Sequence, residues 1–173
     1  MTPTWESDLD VLNLPGYAEA VSLDQMPSPP QKHRPFSFIV NSHDSLQKGE
    51  HWMAVCFPPS HSRKVLFIEP YGLPLHKTSK HLSEYLSKYA TYTETLPFGI
   101  QPFWRSQACG HFCVYILAKL PDYNYNLSKL CHYEFSPADR AFNQNKVLRW
   151  WHSNKQTLST TTGWKDYKRK SFL

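Results

Sequence analysis

Apolar positions along the chain fall into blocks whose period changes, and the blocks mark out the elements. Phe36-Ser37-Phe38-Ile39-Val40 and the run from Trp52 to Phe57 are short, rich in apolar and aromatic residues, and read as strands separated by polar turn material at 41–50. Pro58 and Pro59 end the second. After the polar turn Ser60-His61-Ser62-Arg63, Lys64 to Glu69 reads as the next strand, closed by Pro70-Tyr71-Gly72. The short link makes 52–57 and 64–69 antiparallel neighbours. Over 78–89 the period lengthens: Leu82, Tyr85, Leu86 and Tyr89 recur at three and four, with Lys80, Glu84 and Lys88 elsewhere, which predicts an amphipathic helix. A strand around Tyr92 to Leu96 is limited by Pro97 and Gly99. From Cys109 onward Phe112, Cys113, Ile116, Leu117 and Leu120 form the stripe of a core helix that Pro121-Asp122 stops. Val147, Leu148 and Trp150-Trp151 support a last helix over 142–156. Residues 7–15 suggest a short helix ended by Pro15-Gly16. The stretch 22–35, with Pro27, Pro29, Pro30 and Pro35, reads as a surface loop, and 157–163 as a linker to a basic end. The chain contains no internal repeat.

With 173 residues the chain suits one domain, 1–173, and is too short for two comfortable cores. Its 40% hydrophobic and 15% aromatic content against 19% charged residues offsets chain entropy and argues against disorder over most of its length. No stretch approaches the roughly twenty apolar residues a membrane span needs, and the N-terminus lacks a basic start and an apolar run. An intracellular protein with no membrane association is expected. Four cysteines (Cys56, Cys109, Cys113, Cys131) are accordingly read as thiols. The glycosylation pattern Asn126-Leu127-Ser128 carries no weight without export. The net charge of +5 conceals a polarity: residues 1–30 hold Glu6, Asp8, Asp10, Glu19 and Asp24 and no Lys or Arg. From Phe142 to the end, Lys146, Arg149, Lys155, Lys165, Lys168, Arg169 and Lys170 face one acidic residue, Asp166, so a polyanion would be drawn to this part.

Cys109-Gly110 opens the core helix. A cysteine in the first turn sits where unpaired backbone N–H groups and the helix dipole favour a thiolate, and the same N–H groups can receive an oxyanion. Gly110 has no side chain to keep a substrate backbone away. The bland alternative is one more buried thiol like Cys113. A base for Cys109 is offered by His51 at the start of a strand. Pairing 52–57 with 64–69 sets residue 51 opposite roughly 70 and brings Glu69 beside it, to accept from one ring nitrogen while the other faces Cys109. A metal site built from Cys109, His111, Cys113, Cys131 and His132 is disfavoured, because within a helix residue 111 points away from 109 and 113. The scattered glycines form no phosphate-binding loop.

Leu14-Pro15-Gly16-Tyr17, Phe38-Ile39-Val40-Asn41-Ser42, His51-Trp52-Met53-Ala54-Val55, Phe67-Ile68-Glu69-Pro70-Tyr71-Gly72 and Ser106-Gln107-Ala108-Cys109-Gly110-His111-Phe112-Cys113 together resemble the adenovirus protease family, adenain, over residues 14 to about 120. The resemblance implies a papain-like α+β fold of the adenain and ubiquitin-like protease type, with a central mixed sheet packed against helices. It gives His51, Glu69 and Cys109 the roles of base, orienter and nucleophile. It also implies an oxyanion-binding Gln upstream of the nucleophile: Gln101 is the candidate, one residue further from Cys109 than in the adenovirus enzymes, and Gln107 is its local rival. Family members mature viral precursor proteins at glycine-containing sites. This implies protein substrates, a monomer, and a host-nuclear and virion location if the chain is viral. The adenovirus enzymes are activated by DNA and by a disulfide-linked viral peptide. The interval from Cys56 to Cys109 holds no cysteine for such a link, which argues against covalent activation. No cofactor is required on this reading, with DNA or a peptide as candidate activators.

The expected function is that of a cysteine endopeptidase. An alternative is removal of ubiquitin-like modifiers, whose Gly-Gly tails would suit a narrow cleft walled by Trp52 and Trp104. A non-enzyme alternative is a DNA-binding virion structural protein that retains the protease core. DNA binding is assigned to Lys165, Lys168, Arg169 and Lys170, among which Trp164 and Tyr167 could stack on bases. Trp150 and Trp151 cannot share one helix face, so at least one belongs to the core.

Overall fold

The computed structural model describes residues 9, 12–43, 51–59, 63–103 and 107–158. Within them the fold is a mixed α+β arrangement around a five-stranded sheet: β1 (Tyr17–Val21), β2 (Phe36–Asn41), β3 (Trp52–Phe57), β4 (Lys64–Ile68) and β5 (Tyr92–Thr95), in that spatial order. The pairs β1/β2 and β4/β5 are parallel, whereas β2/β3 and β3/β4 are antiparallel. The helices are α1 (Lys80–Tyr89), α2 (Cys109–Lys119), α3 (Leu127–Glu134) and α4 (Arg140–Leu158).

The central strands read as unbroken apolar runs because both sheet faces are covered. Trp52, Ala54 and Cys56 of β3 and Leu66 and Ile68 of β4 face a core built with Phe112, Cys113 and Ile116 of α2, Leu127 and Leu130 of α3, and Val147 and Trp151 of α4. Met53, Val55, Phe57, Val65 and Phe67 alternate onto the other face, where Leu82 and Leu86 of α1 cover them. The stripe of α1 is thus used as its period predicts, and Ser79 caps it by accepting from the Leu82 N–H. Of the tryptophan pair in α4, Trp151 is buried and Trp150 half-buried against Tyr115.

Three departures from the sequence reading concern elements. Strand β1 escapes pattern reading because Tyr17-Ala18-Glu19-Ala20-Val21 is short, shows no clean alternation, and gains its identity from pairing with β2. Helix α3 was legible only locally: Asn126 accepts from the Lys129 N–H as its N-cap, followed by the stripe Leu127, Leu130, Cys131. The expected helix over 7–15 is helical at Leu9, but residues 12–14 lack regular structure and 15–16 form a turn. That segment is anchored all the same, since Leu9 is fully buried, Tyr17 donates its hydroxyl to the Leu9 carbonyl, and the Asn13 N–H bonds the Leu158 carbonyl at 2.7 Å.

Candidate active site

The site forms where β3 begins, β4 ends and α2 begins. Antiparallel pairing of Ala54 with Ile68, Val55 with Phe67 and Cys56 with Leu66, extended by three residues, sets His51 opposite Tyr71, one residue beyond the expected partner. The imidazole stacks on the Tyr71 ring, with centroids 4.8 Å apart at 24°. Glu69, only 3% exposed, leaves the end of β4 and meets His51 Nε2 through Oε1 at 2.5 Å. The same Oε1 accepts from the Tyr71 N–H at 3.2 Å, and Oε2 from the Leu73 N–H at 2.6 Å. The turn 69–73 therefore wraps around the carboxylate and fixes its direction. Gly72 makes this turn possible: its φ is +78°, and a Cβ there would lie 2.5 Å from the Gly99 nitrogen.

Cys109 is the first residue of α2, and Ala108 before it contributes no side-chain cap, so the first-turn N–H groups lack intrahelical partners. The Cys109 thiol is 5% exposed, and its Sγ accepts from the Trp52 backbone N–H at 3.3 Å. One turn later Cys113 Sγ donates to the Trp52 carbonyl at 3.6 Å, so two thiols on one helix face grip both polar groups of the residue following His51. This link keeps the helix end in register with the histidine strand, and nothing in the spacing of the cysteines announced it.

With Nε2 committed to Glu69, Nδ1 is the ring atom left for the thiol; it is buried and reaches no aligned hydrogen-bond acceptor of its own. Burial pulls the His51 pKa down, but hydrogen bonding to Cys109 and to Glu69, together with their charges, outweighs it and pushes it up to about 9. The imidazole accordingly holds its proton at neutral pH. Burial raises the Tyr71 hydroxyl, as do the charges of Cys109 and Glu69, so it stays protonated.

Gln101 is fully buried, and its side-chain Nε2 lies 3.5 Å from the Tyr71 hydroxyl. Gln107 is exposed. The loop carrying Gln101 is held from two sides. The N–H groups of Ile100 and Gln101 both donate to the Pro70 carbonyl at 2.9 and 3.0 Å. From α4, Arg140 Nη1 donates to the Gln101 carbonyl at 3.2 Å and Asn143 Nδ2 to the Ile100 carbonyl at 3.1 Å. The Arg140 guanidinium also lies 4.4 Å from the Phe103 ring centroid, and Phe103 stacks on Tyr71 at 5.6 Å and 9°. His51, Tyr71, Phe103 and Arg140 thus form one continuous stack beside the thiol. Sequence reasoning gave no role to Tyr71, Phe103, Arg140 and Asn143; Tyr71 stood inside a quoted motif block and Phe103 two residues after Gln101, whereas no local signal marked the two helix residues.

Of the other expected site residues, Gly110 is buried in the first turn of α2, and Trp52 is 8% exposed with its ring in the core. Trp104 and the basic residues Lys165, Lys168, Arg169 and Lys170 lie outside the described residues. All four cysteines are free and buried. Burial pushes Cys56 and Cys131 up to about 12 and Cys113 well above the ordinary thiol range. Among the described residues no three His, Cys, Asp or Glu side chains are grouped to hold a metal ion, and none of the helices is long and apolar enough to cross a membrane. His111 packs edge-on against Trp151, and His132 against Phe98.

Comparison with models of known protein families gives no match, and neither does comparison with curated proteins. Among solved structures the chain is similar to the central domain of the uncharacterized Lpg1148 protein from Legionella pneumophila, at 12% identity and a TM-score of 0.43, covering 86% of this chain and 99% of that one.

Proposed function

We propose that this chain is a cysteine endopeptidase with Cys109 as nucleophile, His51 as general base and acid, and Glu69 as the group that orients the imidazole. The observation that carries the reading is the His51 ring, bound at Nε2 to a buried carboxylate that is itself held by backbone N–H groups, with the thiol of Cys109 at a helix N-terminus on its other side. The meeting of a carboxylate, an imidazole and a helix-N-terminal thiol from three separate stretches of the chain supports this reading.

In this mechanism Cys109 Sγ attacks a peptide carbonyl carbon and the imidazolium of His51 delivers its proton from Nδ1 to the departing amine as the C–N bond breaks. Water then attacks the thioester, giving one proton to His51, and the adduct collapses to release the carboxylic acid and the Cys109 thiolate, restoring the thiolate–imidazolium pair with which the cycle begins. Negative charge on the tetrahedral oxygen is met by the Cys109 N–H and the Gln101 amide, each such donor contributing about 3 kcal/mol. The motif blocks resembling adenain extend the proposal to a papain-like fold of that type and to maturation of precursor proteins at glycine-containing sites.

The test is cleavage of a glycine-containing precursor by the parent and by Cys109→Ala and His51→Ala proteins. Each change is expected to lower the rate on the order of 10⁵- to 10⁶-fold; parent-like cleavage by either would overturn the assignment. Alkylation with iodoacetamide at neutral pH supplies an independent measurement. Modification at Cys109 ahead of Cys56, Cys113 and Cys131 is expected, and uniform slow reaction of all four thiols speaks against an activated nucleophile.

A further inference from the structure

A second concave site lies at the end of the sheet remote from His51. Glu69 follows β4 and Arg63 precedes it, so the five residues of the strand, roughly 17 Å, separate the two places. There the Pro-rich segment, the chain entering β4 and the last turn of α1 enclose a cavity of about 560 Å³. The segment is fixed over α1 by two contacts: Tyr85 donates its hydroxyl to the Pro27 carbonyl at 2.6 Å, and Ser28 Oγ meets the Tyr89 hydroxyl at 3.2 Å. The opposite wall is fixed as well, because the N–H groups of Thr91 and Tyr92 both donate to the Arg63 carbonyl, at 2.7 and 3.2 Å.

Three cations line this cavity, Arg34, Arg63 and Lys88, with the hydroxyl residues Ser87, Tyr89 and Thr91 between them and no Asp or Glu. Among the described residues none of the three cations forms an ion pair. Arg34 is half-buried over the Phe57 ring, 5.3 Å from its centroid, and its Nε–H is buried with no hydrogen-bond partner. A buried guanidinium donor without an acceptor is costly unless a ligand supplies one. The carbonyl end of α1 also faces this region, but a helix end carries only about half a negative charge, against three positive ones. The volume falls in the range of small-ligand sites, roughly 300–1,000 Å³, while the charged and hydroxyl lining selects a polar anion over an apolar molecule.

The geometry points to a binding site for a phosphate group here, with Arg34 as its anchor and Arg63 and Lys88 closing on the remaining oxygens. A guanidinium is matched to phosphate oxygens in a way an ammonium is not, and this sets the order of importance among the three. The ligand is of mononucleotide size or the terminal phosphate of an oligonucleotide, two sources with the same recognised group. The site is independent of the proposed peptidase chemistry.

Isothermal titration of the full chain with pyrophosphate, AMP and a five-nucleotide single strand carrying a 5′-phosphate tests this. Saturable binding of pyrophosphate is expected, weakened about tenfold by Arg34→Gln and several-fold by Arg63→Gln or Lys88→Gln. The last two side chains are exposed, so their removal probes binding even if Arg34→Gln impairs folding. A chain with Lys165, Lys168, Arg169 and Lys170 changed to Ala should bind pyrophosphate like the parent. AMP competing with pyrophosphate identifies a free phosphate ester as the ligand, and the oligonucleotide competing with the same dependence on Arg63 and Lys88 identifies a chain phosphate. No saturable binding, or binding that is insensitive to all three substitutions, overturns the site.

Discussion

At the scale of single residues, the site turns on His51, whose charge is decided by a contest. Burial favours the neutral ring, whereas the thiol on one side and the Glu69 carboxylate on the other favour the imidazolium and prevail, carrying the pKa from 6.5 to about 9. A raised folded-state value stabilises the fold fully below the unfolded value of 6.5, and the contribution is lost as pH rises through about 9. The window is therefore pH 6.5 to 9, and the amount is on the order of 3 kcal/mol. Urea denaturation of the parent across this range is expected to show stability declining with pH, with a much shallower decline in His51→Ala. Parallel profiles for the two proteins would mean that His51 does not hold the proton. Peptidase activity should fall over the same upper limb, since the leaving amine then lacks its proton donor. His51, Glu69 and Cys109 were legible because each stands at an element end, and strand pairing alone brings the first two together. The Trp52 N–H that bonds Cys109 Sγ was not, since a backbone donor belongs to no residue type.

Elements deliver these residues by clamping one another. Two strands and the N-terminus of α2 carry the three reactive groups, but the loop with Gln101 is placed by α4, an element 39 residues further along the chain at its Arg140 contact. Changing Arg140 to Ala removes the bond to the Gln101 carbonyl and the cation over Phe103 together. If Gln101 meets the oxyanion only in the transition state, the expected result is about a tenfold fall in kcat with KM little altered. A general loss of folded protein would instead lower the active fraction and leave kcat per active site unchanged, which titration with a thiol-directed inhibitor separates. Parent-like kcat in Arg140→Ala, with Gln101→Ala still impaired, would remove α4 from the positioning of the site. Asn143 is the stricter case, because it is fully buried and bridges Ile100 to both backbone groups of Ser136. Asn143→Leu should lower stability by about 2–3 kcal/mol in thermal or urea denaturation by stranding those groups. This clamp could not be read from the chain. The runs of β3 and β4 and the stripes of α1 and α2 carry their period in the sequence, whereas Arg140 and Asn143 lie on a helix whose apolar face says nothing of what its first turn touches. Strand β1 was hidden for a related reason: its five residues become a strand only against β2.

Across the whole molecule, the distribution of charge bears on what the chain meets. The Asn13 N–H bonds the Leu158 carbonyl, so the acidic N-terminal part of the sequence is tied to the last residue of α4, from which the basic stretch with Lys165, Lys168, Arg169 and Lys170 continues. Residues 1–30 carry five acidic and no basic side chains, so the charge of the chain as a whole attracts a polyanion less than its basic end alone would. Binding to duplex DNA is therefore expected to be weak at physiological salt and to strengthen steeply as salt is lowered, with little dependence on sequence. Each phosphate neutralised contributes about 0.9 to the slope of log affinity against log salt, so changing the four residues to Ala should flatten the slope by up to about 3 to 4. The measurement is a salt series with random-sequence duplexes and Cys109→Ala protein, which lacks the proposed nucleophile. Equal slopes for the parent and the four-alanine chain would take the basic end out of the DNA contact. A slope restored by pyrophosphate-sensitive binding, lost in Arg63→Gln and Lys88→Gln, would move that contact to the cavity beside α1. If DNA binds through the basic end and leaves the rate of peptide cleavage unchanged, the polyanion localises the protein without activating it.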